Sequence, residues 1–477
     1  MSQNTVDLGK DSVGRLLIKL SVPAIIAQVV NVLYNIVDRI YIGRLPDAKA
    51  AMAGVGVAFP IIMIVSAFSA LIGMGGAPLV AIKMGEKDDD GARKILSNSF
   101  SLLVLIGLVL MCTLLIFKEP ILWAFGASSD TIDYANQYLG IYLLATVAVQ
   151  ISLGMNPFIN TQGFAKIGML TVMVGAIINI VLDPIFIFGF NMGVPGAALA
   201  TIIAQIVSAI WVIYFFFGKE KQFKNKFLAE ILGSKTIIKI KKEYLRPDLS
   251  IALKITTLGV SPFIMQATES LVLISVNRQL LTYGDLLGAG IGDLAIGSMT
   301  IMSSIMQIAT LPLLGITQGA QPIISYNYGA RQIDRVKKTF KLLIASCFAY
   351  TGTIWLLIMI KPELFVMIFN KNQEVIEMTS WSSRIFFLGL FMMGVQIGCQ
   401  QTFLALGQAK ISLFLAILRK IILLIPLIFI LPHFMENKLQ GVFTAEPVAD
   451  ILAAITTLIC FMIFYKNTLS SQEEIKK

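Results

Sequence analysis

Apolar residues run along this chain in long blocks, separated by short stretches rich in polar residues, Gly and Pro. The blocks fall at about residues 17–40, 50–80, 95–117, 136–159, 168–190 and 196–217, and again at about 249–281, 294–325, 340–360, 382–404, 412–434 and 442–465. A helix needs roughly 20 mostly apolar residues to cross the hydrocarbon core of a bilayer. Each block is long enough, so the pattern predicts an all-α integral membrane protein with twelve transmembrane helices. A basic stretch divides them six and six. The expected organisation is an N-terminal six-helix lobe at 1–217, a basic cytoplasmic linker at 218–248 and a C-terminal six-helix lobe at 249–477.

The two halves share a pattern. Gly75, Pro78 and Gly85 return as Gly319, Pro322 and Gly329, with basic residues after both sets. Gly163-Phe164-Ala165-Lys166-Ile167 returns at the same spacing as Gly407-Gln408-Ala409-Lys410-Ile411. Pro23 with Asp38-Arg39 matches Pro262 with Asn277-Arg278, and Gly193-Val194 matches Gly441-Val442. Four matches in one order indicate a duplicated six-helix unit. An even number of helices per unit gives both copies the same orientation, related by an axis along the membrane normal, with a central cleft between them.

Composition removes the soluble alternative. Only 14% of the 477 residues are charged and 56% are hydrophobic, too little charge to cover a large soluble core. The net charge of +10 does not imply nucleic acid, because the basic residues cluster between spans. Lys10, Arg15, Lys83, Lys94, Arg331, Arg335 and the 218–248 stretch lie on one side, which places both termini in the cytoplasm of a multi-pass bacterial cell (inner) membrane protein. The linker alternates Lys with Phe, Ile and Leu, suiting either a solvated connection or a strip on the anionic leaflet. Cys112, Cys347, Cys399 and Cys460 are far apart inside apolar blocks, as packing residues are. Asp7 and Asp11 precede the first block and no small-residue cleavage site follows it, so the start reads as uncleaved.

Polar residues inside spans carry the candidate chemistry, since each is costly there. Gln28, Asn31, Asn35 and Asp38 stand three, four and three apart, one face of the first helix. The structural alternative for Asp38 is interfacial solvation or pairing with Arg39. In the fifth span Asn179 and Asp183 are one turn apart, and Pro184 deprives a carbonyl near residue 180 of its helical donor. A carboxylate, an amide and a free carbonyl are the oxygen ligands a proton or small cation takes. Thr201 adds a hydroxyl at similar depth; the alternative is that Asp183 caps or pairs at the outer surface. The second half carries a different set: Gln266, Glu269 and Ser270, then Gln396, Gln400 and Gln401, then Arg419 and Lys420, then Glu446 and Asp450. Glu269 suits titration or contact with a cationic substrate. Arg419 equally suits a fold-holding ion pair.

Enzyme chemistry is poorly represented. His433 is the only histidine, which leaves no His-based triad or HExxH zinc site, and no phosphate-cradling GxxxxGK[ST] loop occurs. No cofactor is implied. Gly290-Ile291-Gly292-Asp293 has the GxGD form of intramembrane aspartyl proteases, but the partner Tyr-Asp motif is missing.

The duplicated plan, the paired Gly/Pro/Gly elements, Pro23 with Asp38, the Asn179/Asp183 pair and Gly193-Val194-Pro195-Gly196-Ala197-Ala198 together resemble the MATE (multidrug and toxic compound extrusion) family, close to its MepA-type bacterial branch. The resemblance covers almost the whole chain. It implies two pseudo-symmetric six-helix lobes around a cavity and an antiporter that exports lipophilic, mostly cationic compounds in exchange for protons or sodium. Family members that hold the coupling ion in the N-terminal lobe do so at positions matched here by Asp38, Asn179, Asp183 and Thr201, with transient Na+ expected at the first three. Another branch uses C-terminal acidic residues, and Glu269 resembles its seventh-helix Glu. The expected cavity lining is Gln28, Asn31, Tyr34, Asn35, Gln150, Met155, Asn156, Gln266, Glu269, Gln396 and Gln400, with Pro23 as a hinge. Partners are then small lipophilic cations, H+ or Na+, and the bilayer; no nucleic acid is expected and a monomer suffices. Entry of a proton from outside would neutralise Asp38 and Asp183, let the first helix bend at Pro23 and expel the bound compound. A lipid-linked oligosaccharide flippase of the same superfamily is the alternative, which would want a cationic cavity for pyrophosphate.

Overall fold

The computed structural model describes residues 6–217, 236–288 and 290–470, without the side chains of 468–470. The helices are α1 (Val13–Ile42), α2 (Ala48–Gly85), α3 (Asp89–Ala124), α4 (Ile132–Leu144), α5 (Thr146–Thr161), α6 (Ala165–Pro184) and α7 (Val194–Phe217) in the first half. The second half has α8 (Leu249–Ala267), α9 (Glu269–Asp285), α10 (Ile291–Gly329), α11 (Ile333–Ile360), α12 (Pro362–Val366), α13 (Gln373–Phe386), α14 (Leu390–Ala405), α15 (Ala409–Ile417), α16 (Ile425–Ile430) and α17 (Lys438–Phe464). Eleven of the resulting rods can cross a membrane by length and composition, and twelve when α4 and α5, bent by 62° at Ala145, count as one broken span. The described residues contain no strand, as bilayer physics demands of a spanning chain whose backbone groups must be satisfied internally.

The duplication is visible in backbone geometry. Lys87 and Arg331, equivalent positions after the repeated glycines, both adopt positive φ, at 62° and 56°. Around them the same closure forms: Lys87 N–H donates to the Met84 carbonyl at 3.1 Å and Arg331 N–H to Tyr328 at 3.0 Å. Gly163 and Gly407 are a second such pair, with φ of 84° and 71°, a region where only glycine avoids strain.

The halves meet along a seam in the part of each helix nearest the basic connections. Here α1 packs on α10, and α2 on α8. The repeated glycines are what allows this. A Cβ on Gly75 would strike the Ile255 carbonyl, one on Gly259 the Leu71 carbonyl, and one on Gly319 the backbone of Ser21. Gly85 faces Tyr326 and Gly329 faces Ile82 in the same way. Ser21 Oγ also donates to the Ile316 carbonyl at 3.3 Å, and Phe68 packs edge-on against Phe263 at 4.9 Å.

The seam is interlaced. Leu8, Leu16, Leu17 and Leu20 lie in the core of the second lobe, and Ile255 lies in the core of the first. Asn327 Nδ2 and Arg335 donate to the Leu8 carbonyl at 3.0 and 2.9 Å, and Arg335 to the Asp11 carbonyl at 2.7 Å. Residues 236–248 are held reciprocally by the first lobe: Gln162 accepts from Ile238 N–H at 2.8 Å, and Asn98 from Asp248 N–H at 2.6 Å. The Tyr244 hydroxyl donates to Asp90 at 2.6 Å and, with Lys94, holds that carboxyl below the usual carboxylate range. Ile238 and Ile240 are buried while Lys239, Lys242 and Arg246 are exposed, so this stretch docks on the first lobe along one side; residues 218–235 of the expected linker lie outside the described residues.

Candidate functional site

Helical spacing puts Gln28, Asn31, Asn35 and Asp38 on one face of α1, but their surroundings differ. Gln28 donates across the seam to Gln318 Oε1 at 3.3 Å, whereas Asn35 Nδ2 donates to the Asn31 carbonyl of its own helix at 2.6 Å. Asp38 is buried, and its Oδ1 has no hydrogen-bond partner. Arg39 is within electrostatic range of it, but its guanidinium lies 5.1 Å over the ring of Phe59. Helix α1 runs through Pro23 without a break.

On α6 the Asn179 amide donates to Asp183 Oδ1 at 3.2 Å and to Thr201 Oγ1 of α7 at 3.3 Å. Thr201 in turn donates to the Ala197 carbonyl at 3.0 Å. Asn179 is 1% exposed and Asp183 0%. Pro184 closes α6, and residues 185–189 continue as a π-helical turn, a distortion common beside functional groups. Because the Asn179 amide is committed, its Oδ1 is fixed as an acceptor, and both it and Asp183 Oδ2 lack a donor. Asp38 lies within electrostatic range of Asp183. Three of the first lobe's buried acceptor oxygens therefore stand unpaired. An uncompensated buried carboxylate costs several kcal/mol, so this cluster has the chemistry to take up a proton or a small cation. No group of three or more His, Cys, Asp or Glu among the described residues is placed to hold a metal ion.

One cavity borders the cluster, and a second shares wall residues with the first. The smaller, about 50 Å³, is lined by Asn179, Thr201, Tyr34, Asn31, Gln205 and Ser208 among others. The larger, about 130 Å³, is lined by Gln28, Asn31, Asn156, Asn160, Gln318 and Gln321 among others. Of the expected lining, Gln28, Asn31, Tyr34 and Asn156 border this space and Asn35, Gln266 and Glu269 do not. The remaining four are inside the lobes. Gln150 is buried between α5 and α2, accepting from Ser69 and donating to the Val65 carbonyl at 2.7 Å. Met155 is a fully buried core residue. Gln396 donates to Gln400 at 2.9 Å, and Gln400 reaches Met265 Sδ at 3.2 Å. A polar residue in a span satisfies its hydrogen bonds wherever a partner is offered, and a neighbouring helix offers one as readily as a cavity does.

Sequence reasoning passes over Ser152, Asn160, Gln205, Gln318 and Gln321. Part of the signal is there: Ser152, Asn156 and Asn160 stand four apart, and Gln205 is one turn beyond Thr201.

The second lobe holds its charges differently. Arg419 Nε donates to Asp450 at 2.7 Å and its NH2 to Glu446 at 3.2 Å, while Lys420 Nζ reaches Glu269 at 2.9 Å. Arg419, Lys420 and Asp450 are buried, and the two cations sit in a π-helical segment, 418–424. Asp293 is exposed in the first turn of α10.

The MatE family model matches residues 23–185 and 285–430, well over half the chain. The chain belongs to the MATE family. It is therefore a multi-pass membrane transporter and not an enzyme. The multidrug export protein MepA of Staphylococcus saprophyticus is 25% identical over 465 residues, covering 97% of either chain, and MepA of Staphylococcus aureus is 25% identical over 472 residues, covering 98% of either. Among solved structures, a MATE protein in a bent conformation superposes with a TM-score of 0.87 at 22% identity, over 100% of this chain and 99% of that one. The outward-facing form of a multidrug resistance MATE transporter gives 0.86 at 23% identity, over 99% of each. This MATE protein thus shares the two-lobed fold throughout its length.

Proposed function

We propose that this MATE protein is a multidrug efflux antiporter that exports lipophilic, mostly cationic compounds in exchange for protons or sodium. The observation that carries the reading is the set of unpaired buried oxygens, Asp38 Oδ1, Asn179 Oδ1 and Asp183 Oδ2. Asp38, Asn179, Asp183 and Thr201 form the ion-coupling site, and Na+, where it is the coupling ion, is held transiently as transported cargo. The MepA relatives are named multidrug exporters, which supports the same substrate class. Neither cavity of the first lobe is lined by Lys or Arg, the opposite of what a pyrophosphate-carrying flippase needs. The basic connections mark the cytoplasmic side, so both termini are cytoplasmic and the seam closes that side. One copy contains both lobes and acts as a monomer.

The test is efflux of a fluorescent lipophilic cation from proteoliposomes under an imposed proton or sodium gradient. One gradient drives export by the unaltered protein, and Asp183→Asn removes that dependence while the protein still inserts. Gradient-driven export at the unaltered rate by Asp183→Asn overturns the reading.

A further inference from the structure

The stretch from residue 236 into the start of α8, on the basic, terminus-bearing side, has two unlike sides. Toward the first lobe Thr236, Ile238 and Ile240 are buried, with Ile237 and Lys239 exposed between them. Helix α3 fastens it further: Lys241 N–H donates to Ser97 Oγ at 3.1 Å, and Ser101 Oγ to the Leu245 carbonyl at 2.6 Å. The inner side is thus tied down, and the outer side meets the surroundings.

Charge on the outer side is unbalanced. Residues 236–254 carry five basic residues and two acidic ones. Both acids are engaged. Glu243 pairs with Lys241 at 2.8 Å, and Asp248 accepts from the Ser250 and Ile251 N–H groups at the start of α8. Asp90 of α3 is taken up by Tyr244 and Lys94. Lys242, Arg246 and Lys254 are exposed and make no ion pair among the described residues.

The depth of these cations follows from the helix they adjoin. The rod that begins at Leu249 can cross a membrane by length and composition. Leu249 and Leu253, one turn apart, are 74% and 56% exposed, as side chains facing acyl chains are. Lys242 and Arg246 come just before that turn and so stand at headgroup level. Lys254, next to Leu253, reaches the same level along its aliphatic stem. A free anion has no use for the leucines, and a neutral lipid has none for the cations.

We propose that this face binds the headgroups of anionic phospholipids, with phosphate at Lys242, Arg246 and Lys254 and acyl chains along Leu249 and Leu253. Cations clustered beside a spanning helix draw anionic lipid in this way. The bound lipid bridges a stretch fastened to the first lobe and the first helix of the second. The proposal needs neither the coupling ion nor the exported compound.

The test uses the full chain purified in neutral detergent and titrated with dioleoylphosphatidylglycerol or dioleoylphosphatidylcholine, bound lipid being counted by native mass spectrometry. The anionic lipid should bind more tightly by at least about 10-fold. Lys242→Gln, Arg246→Gln and Lys254→Gln together should bring that preference below about threefold, whereas Lys242→Arg, Arg246→Lys and Lys254→Arg together should keep it. Three exposed cations of the second lobe, removed by Lys338→Gln, Lys341→Gln and Lys410→Gln, should leave it within about twofold. Glycerol 3-phosphate at the same concentration should not displace the lipid. A smaller preference in the unaltered protein, or the full preference in the first triple variant, overturns the proposal. So do equal losses in the two Gln triples, or displacement by glycerol 3-phosphate, which would mark a site for a free phosphate. Should the first triple variant not fold, Arg246→Gln alone carries the test: a loss of about fivefold is expected, and no loss overturns the proposal.

Discussion

The fifth span of each lobe carries polar groups and a π-helical turn, yet the two lobes use them in opposite ways. In the first lobe the turn follows 20 residues of α6, just after Asp183, and Asp38 and Asp183 each keep a buried oxygen without a hydrogen-bond partner. In the second lobe the turn follows nine residues of α15 and itself bears Arg419 and Lys420, which answer Asp450, Glu446 and Glu269. Charges with partners hold helices together; charges without them wait for an ion. One scaffold thus carries basic residues held in ion pairs on the fifth span of the second lobe, and on that of the first an acidic residue that we propose binds the coupling ion.

That contrast can be broken from either side. The largest effect is expected on stability, in the second lobe: Asp450→Ala removes the closer of the two carboxylates that hold the buried Arg419 and should cost up to about 3–5 kcal/mol, read as a lowered melting temperature in detergent, while any folded fraction keeps its gradient dependence. Next, Asp183→Asn should reduce gradient-driven export by 100-fold or more, about 2.7 kcal/mol at 1.36 kcal/mol per tenfold, without lowering the melting temperature. If the two variants exchange phenotypes, the assignment of brace and site is reversed. A smaller change, roughly tenfold, is expected for Thr201→Val, which deletes one oxygen from the cluster but leaves both carboxylates; the midpoint of the ion dependence should move, and the substrate midpoint should not. Smallest of all is Lys420→Met. Its partner Glu269 has a side chain 65% exposed, so the pair should contribute no more than about 1 kcal/mol, visible as a minor shift in thermal unfolding.

The seam offers a parallel test on the shape of the lobes. Gly259→Ala places a methyl where the Leu71 carbonyl already lies. The backbones must part, and transport should fall through a shifted balance between open and closed forms, detectable as faster labelling, from the terminus-bearing face, of cysteines introduced at the seam.

Much of this was written in the chain. Helix count, the two-fold repeat and membrane residence follow from the length and spacing of apolar blocks, because a bilayer accepts only segments whose length and polarity match it. The Asn179/Asp183/Thr201 contacts follow from helical period and from the order of adjacent spans. The repeated glycines could be seen but not interpreted; their meaning, backbone contact between lobes, depends on which helices cross the seam. The cavity lining was the weakest part, since Gln150, Gln396 and Gln400 have the composition of pore residues and the surroundings of core ones.

What the one-dimensional pattern decided, then, is where the chain spans and which intramembrane groups are expensive enough to need a purpose. Only the tertiary structure decided which of those groups are already paid for by a neighbour. Burial and hydrophobicity act locally and leave their period in the sequence, whereas a hydrogen bond or ion pair between helices more than 20 residues apart leaves no period at all. Asp183 and Asp450 look alike as acidic residues in apolar runs; one ends against the Asn179 amide with an oxygen to spare, the other against a guanidinium.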